Sequence, residues 1–298
     1  MPPLERVFRE RAAWCVLAGV AVLVSPGTAA QQPRFSSNTL GVRVDVLVST
    51  GNRYVSALTA ADFELRDNGV LQQVDVIDPN DVPLNAVLAL DVSASTAGQR
   101  LSDLITASHT LLDGLRPADR AALTTFNHAV TPRVPLTGHV STIKAALSAI
   151  EPSGDTAVMD GLYAALMTTQ AEAGRSLVIV CSDGRDTASW LDPDEVLEAA
   201  KRSNAVIYAV AAGRARRWEA LKSLTDATGG YTIEIESSKD LAGEFRKILE
   251  DFRSRYILTF VPRGVAEGGF HRLDVRVRRG GLTVKARPGY IGTGSAAR

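Results

Sequence analysis

Two cysteines, four histidines and an aromatic content of 6% leave little room for several familiar chemistries. Cys15 falls in an apolar N-terminal stretch that reads as removable, so Cys181 remains alone and no intrachain disulfide is expected. Cys181 ends an apolar run with no histidine close in sequence, which marks a buried, inert thiol rather than a nucleophile. His109, His128, His139 and His271 are scattered and read as structural or surface residues. No G-x-S-x-G occurs, and neither a general base nor a cluster of histidines and carboxylates stands out. A non-enzyme is therefore expected. Charge of one sign is also missing: Lys+Arg and Asp+Glu both number 33. The chain offers no global field that would draw it to nucleic acid or to an anionic membrane. Arg272, Arg276 and Arg278 alternate with Leu273, Val275 and Val277, without interleaved aromatics. That spacing describes a solvated strand face, not a nucleic-acid surface.

Long hydrophobic runs are absent as well. The apolar stretch at residues 12–24 is short for a membrane span, which takes about 20 residues. Arg6, Arg9 and Arg11 precede it, Pro26-Gly27 breaks it, and Thr28-Ala29-Ala30 offers small residues for cleavage. Residues 1–30 are read as a signal peptide, cleaved near Ala30, with an uncleaved anchor as the alternative. The chain is expected to be exported, to the periplasm or beyond the cell, with no span in the mature part.

What is present is ordinary globular material: 45% hydrophobic and 22% charged over 298 residues, enough for one large domain or two modest ones. Residues 31–84 look β-rich. Val42, Val44, Val46 and Val48 alternate along one strand, and Asp67-Asn68-Gly69 predicts a hairpin between residues 63–66 and 70–77. From residue 85 to 253 helix and strand patterns alternate, which means a parallel sheet covered on both faces. An edge strand pair is expected at 121–126 and 130–135, where Pro132 and Pro135 fall. Residues 254–292 return to β: 256–261 is one strand, 272–278 another, and after Gly280-Gly281 the segment 282–286 returns. Each flank is too small to bury a core alone, so the two are expected to pair as one small β-sandwich. Residues 293–298 are a tail.

The most informative segment is Asp91-Val-Ser-Ala-Ser95, which directly follows the apolar run at 85–90. The turn beyond a central parallel strand is where open α/β sheets place ligand sites. One carboxylate and two hydroxyls spaced two residues apart can face one point, and oxygen-only ligation suits a hard cation such as Mg2+. Ser and Asp are equally at home capping a helix, so the segment alone leaves both readings open. Two further loops add to it: Ser153-Gly-Asp-Thr156 before a helical pattern, and Ser182-Asp183-Gly184 after the apolar run 176–181. Together the three loops supply Asp91, Ser93, Ser95, Thr156 and Asp183.

This three-part pattern resembles the von Willebrand factor type A family and its metal-ion-dependent adhesion site, over roughly residues 85–253. Ala94 stands where many relatives carry Gly, and Asp155 precedes the threonine where Gly is common; neither change removes a ligand. Asp155 and Asp186 add negative charge nearby. The resemblance implies a doubly wound, mostly parallel sheet with helices on both faces. It implies that Ser93, Ser95 and Thr156 ligate through hydroxyls, with Asp91 and Asp183 binding directly or holding coordinated waters. Mg2+ is the expected ion, with Mn2+ or Ca2+ as alternatives. An open position on the ion would attract a Glu or Asp of a protein partner. A looser resemblance, carried by Leu58-Thr-Ala-Ala-Asp-Phe63, Asp67-Asn-Gly69 and Ala286-Arg-Pro-Gly-Tyr-Ile291, is to bacterial exported proteins with a type A domain between such flanks. Two other functions remain open: a purely structural metal with metal-independent partner binding, and a metal-dependent hydrolase.

Overall fold

The computed structural model describes residues 41–170, 173–182, 185–212 and 219–292. The expected signal peptide, Asp183 and the tail 293–298 lie outside the described residues.

At the centre is a six-stranded sheet, built from β6 (Leu84–Asp91), β7 (Arg120–Phe126), β8 (Val130–Thr137), β9 (Arg175–Ser182), β10 (Val206–Ala212) and β11 (Thr232–Ile235). Its order is β11-β10-β9-β6-β7-β8. All neighbours are parallel except β7 and β8, which pair antiparallel. Every residue of β6 and β9 is buried, the signature of strands covered on both faces. Successive side chains take opposite faces. Ala86, Leu88 and Leu90 join a core with α1 (Gln99–Asp113), α2 (Val140–Ser148) and α6 (Leu241–Arg253). Val87 and Ala89 join another with α3 (Val158–Thr169), α4 (Pro193–Arg202) and α5 (Glu219–Ala227). Pro132 and Pro135 lie in β8, whose outer edge needs no ladder donors. Among the described residues no helix is long and apolar enough to cross a membrane.

The flanks contribute two more sheets. β1 (Val42–Thr50) pairs with β2 (Arg53–Tyr54), β12 (Tyr256–Phe260) and β14 (Thr283–Lys285), and β12 pairs with β5 (Asp75–Ile77). β3 (Phe63–Asp67) lies between β4 (Val70–Gln72) and β13 (Gly269–Val277), and β13 pairs with β15 (Gly289–Gly292). Val44, Val46, Val48, Phe63, Leu65, Leu258, Phe260 and Leu273 form one apolar cluster across both sheets. The turn between β3 and β4 has φ of 46° at Asn68 and 85° at Gly69, the two positive values that a tight hairpin requires.

Two local expectations need correction. The arm 70–77 does not run as one strand: it breaks after Gln72, and β5 crosses to pair with β12. Gln72 explains the break, because its side chain turns to bond Arg263 O and accept from Arg263 N. The segment after Gly280-Gly281 does not fold back on β13. It crosses to the other sheet and pairs with β1, leaving β13 to β15.

Buried cations join the flanks to the α/β core. Arg175 of β9 donates twice to Asp45 of β1, at 2.9 and 2.7 Å, and to Phe252 O. Arg255 is fully buried; it donates to Tyr208 Oη, Gly229 O and Asp45 O. Gly229-Gly230 ends α5 beneath this network. Gly229 has φ +79°, and a methyl group on Gly230 would lie 1.8 Å from Ile207 O, so only glycine fits. At the end of α6, Tyr231 donates to the Asp251 carboxylate. Burial pushes the Asp251 carboxyl up from 3.8 to about 6, against the opposing pull of Arg255 and Lys285.

Candidate functional site

Asp91 is the last residue of β6 and is completely buried. The parallel register sets Leu90 against Cys181, which brings Ser182 alongside Asp91. Ser182 Oγ donates to Asp91 Oδ2 at 2.6 Å, and Ser93 N donates to Asp91 Oδ1 at 2.9 Å. Ser182 was not singled out from sequence, although its place at the end of an apolar strand, in register with β6, is a readable signal.

Ser93 and Ser95 occupy the turn after β6. Their hydroxyls hydrogen-bond one another at 3.0 Å. They do not cap α1: the N-cap of α1 is Gly98, with φ 75°, and Ser93 makes no capping bond to the short 3-10 turn that follows it. The turn is held instead by Thr96 Oγ1 donating to Ser93 O and by Arg100 donating to Ser95 O. Of the two readings of Asp91-Val-Ser-Ala-Ser95, capping thus loses its geometric basis. In an octahedron of oxygens around Mg2+, adjacent ligands sit about 2.8–3.0 Å apart, since Mg–O is about 2.0–2.1 Å. The two hydroxyls meet that spacing.

Thr156 belongs to the loop before α3 and is 5% exposed. Two backbone bonds tie this loop to the turn after β6: Ser153 N to Val92 O at 2.9 Å and Ala94 N to Gly154 O at 3.0 Å. Asn127, just past β7, fastens it from the other side by donating to Ser153 O while its own carbonyl accepts from Ala157 N. Gly154 has φ +73°, and a Cβ there would strike His128 Nδ1 at 2.1 Å, so the loop passes this point only as glycine. The structure thus places Ser93 and Ser95 in the turn directly after Asp91, and holds the loop that carries Thr156 against that turn by two backbone bonds. Asp183 follows the last residue of β9 and lies outside the described residues.

The donors are oxygens throughout, mostly hydroxyls, and so suit a hard cation. Among the described residues no group of three or more His, Cys, Asp or Glu comes together as a metal cluster. Asp91, Thr96, Arg100, Cys181, Ser182 and Ser238 line a small pocket that reaches Leu241 at the start of α6. Cys181 is 4% exposed, as a buried thiol should be.

The loop after β9 forms the rim. Thr187 N and Ala188 N donate to Thr156 O at 2.8 and 3.0 Å. Asp186 accepts from Met159 N and from Ser189 Oγ, so its charge is spent at the start of α3. Asp160 accepts from Trp190 N and Leu191 N.

The sequence profile of the von Willebrand factor type A domain matches residues 85–247. The inter-alpha-trypsin inhibitor heavy chain H2 of Sus scrofa is 28% identical over 188 residues, which cover 57% of this chain and 20% of that protein. Its Homo sapiens counterpart is 27% identical over 222 residues, covering 66% and 23%. The chain thus spans about a fifth of the length of these curated relatives. Among solved structures, a von Willebrand factor type A protein from Catenulispora acidiphila superposes with a TM-score of 0.54 at 13% identity, over 88% of this chain and 76% of that one. Proximal thread matrix protein 1 from the mussel byssus gives 0.51 at 17% identity, over 62% and 49%. With the profile spanning more than half of its length, the chain belongs to the von Willebrand factor type A domain family.

Proposed function

We propose that this protein is an exported adhesion-type module that binds Mg2+ through Asp91, Ser93, Ser95, Thr156 and Asp183 and recruits a partner protein through the ion. The observation that carries this reading is the pair of Ser93 and Ser95 hydroxyls, 3.0 Å apart beside the buried Asp91 and excluded from capping duty. Ser93, Ser95 and Thr156 hold the ion through neutral oxygens. Asp91, fixed by Ser93 N and Ser182 Oγ, binds it or orients a water bound to it. Hydroxyl ligation leaves much of the ionic charge unquenched, and the bound cation supplies an open position for a partner Glu or Asp. Residues 85–253 form the doubly wound domain that presents the site, and residues 31–84 and 254–292 close into a small β-sandwich that carries it. Removal of residues 1–30 on export leaves the mature form, in the periplasm or outside the cell.

Titration of Mg2+ into metal-stripped protein lacking residues 1–30, beside Asp91→Ala and Ser93→Ala, tests this. One saturable site, lost in Asp91→Ala and weakened in Ser93→Ala, is the expected result. At a hundredfold excess over Kd the ion then stabilises the fold by about 2.7 kcal/mol. Absence of binding at millimolar Mg2+, Mn2+ and Ca2+ would remove the cation from the mechanism. A partner that binds equally well in chelator would make the metal structural.

A further inference from the structure

Trp190 is 92% exposed, by far the most exposed large apolar side chain among the described residues. Its backbone is nonetheless held firmly. Trp190 N bonds both oxygens of Asp160 at 3.2 and 3.0 Å, Leu191 N bonds Asp160 at 3.0 Å, and Ala188 N bonds Thr156 O at 3.0 Å. The indole is thus displayed on a rigid platform two residues from a contact with the proposed metal ligand Thr156. Tyr163 lies three residues beyond Asp160 on α3, shares its helix face, and is itself 36% exposed. Asp160, whose carboxylate accepts from Trp190 N and Leu191 N, lies against this segment, and Asp192 and Asp194 follow Trp190 by two and four residues; none of the three has an ion-pair partner among the described residues.

A tryptophan left in water on a fixed backbone loses little conformational freedom when it is covered, which makes it an efficient binding anchor. An indole beside carboxylates lacking counter-charges favours one kind of occupant. A cationic side chain gains from the ring face and from the acidic field together. We infer that Trp190 anchors a docking surface for a basic segment of a partner protein, whose Arg or Lys stacks on the indole within reach of Asp160. This surface is separate from the cation: it borders the metal site and does not require it to be filled.

Three 12-residue peptides matched in length, one Arg/Lys-rich, one neutral and one Glu/Asp-rich, are titrated into the full chain in EDTA by calorimetry, with tryptophan emission followed in parallel for the chain that keeps Trp190. The basic peptide is expected to bind saturably and shift the emission, weakening as salt rises. Trp190→Ala, whose exposed site spares the fold, should weaken it on the order of 5- to 30-fold, with Trp190→Tyr intermediate and Asp160→Asn also weaker. Unchanged melting of Trp190→Ala guards the comparison. The inference is overturned by equal binding to Trp190→Ala, by equal or better binding of the acidic or neutral peptide, or by no saturation at millimolar peptide. Those outcomes leave the Mg2+ titration untouched, because it involves neither Trp190 nor peptide.

Discussion

Replacing Asp251 with Asn should stabilise this protein at neutral pH and do nothing in acid. Asp251 is 3% exposed, sits near the end of α6 and accepts a hydrogen bond from Tyr231. Burial lifts its carboxyl to about 6, while Arg255 and Lys285 recover only part of that penalty. An acid with a raised folded value binds its proton more tightly in the native state. Stability contributed by that proton is therefore complete below about pH 4 and falls as pH rises toward 6. Above 6 the full penalty applies. The gap from 3.8 to about 6 corresponds to about 3 kcal/mol at 1.36 kcal/mol per pH unit, an upper figure because local relaxation reduces it. Asn resembles the protonated acid, and its carbonyl can still accept from Tyr231. Urea unfolding of wild type and Asp251→Asn, followed by circular dichroism from pH 4 to 7.5, isolates this group from every other carboxylate. The two midpoints should coincide near pH 4 and diverge by about 2–3 kcal/mol by pH 7. A difference that is flat with pH, or an Asn variant that is weaker at pH 7, refutes the argument.

Other perturbations have equally definite outcomes. Ser182→Ala removes the donor to Asp91 Oδ2 and should weaken Mg2+ by about 10- to 100-fold in calorimetry without emptying the site, as loss of a supporting hydrogen bond does; unchanged affinity would make Asp91 a bystander. Arg175→Met leaves the buried Asp45 only its 3.8 Å contact with Arg43 and should lower stability by about 3 kcal/mol in urea. Adding Asp45→Leu to it should recover most of the loss, and a double variant no better than the single one would count against the pair. Gly230→Ala forces a methyl group into Ile207 O. It should cost more than about 4 kcal/mol and abolish soluble expression, whereas Gly243→Ala, with open space on α6, should be neutral or better.

Strong local patterns were the legible part. Continuous apolar runs at 85–90 and 176–181 gave β6 and β9, and the alternating valines gave β1. The Asp67-Asn68-Gly69 turn was readable because two positive φ values leave few residue choices. What escaped were choices between partners. Residues 75–77 and 283–285 are competent strands, and nothing in their composition says which sheet takes them; Gln72 and the buried face of β1 decide it from a distance. The buried Arg255 was also invisible, since an arginine before an apolar strand reads as a surface residue until Tyr208 and Gly229 are seen around it. At the site, spacing proposes the hydroxyl and carboxylate set. It could not show Ser182 fixing Asp91, a contact created by strand register.

The pairing of β1 with β12 and β14 has a consequence for how the chain comes to be folded. Val42 aligns with Phe260, and Ser49 with Thr283, so more than two hundred residues separate the two sides of each ladder. β1, the first strand among the described residues, finds both of these partners beyond residue 255. During synthesis the α/β region can close on its own neighbouring contacts, while Val44, Val46 and Val48 wait uncovered for β12 to arrive. Flank closure is expected as a slow phase, and variants that weaken β12 or β14 should lower yield more than they lower the stability of the molecules that do finish.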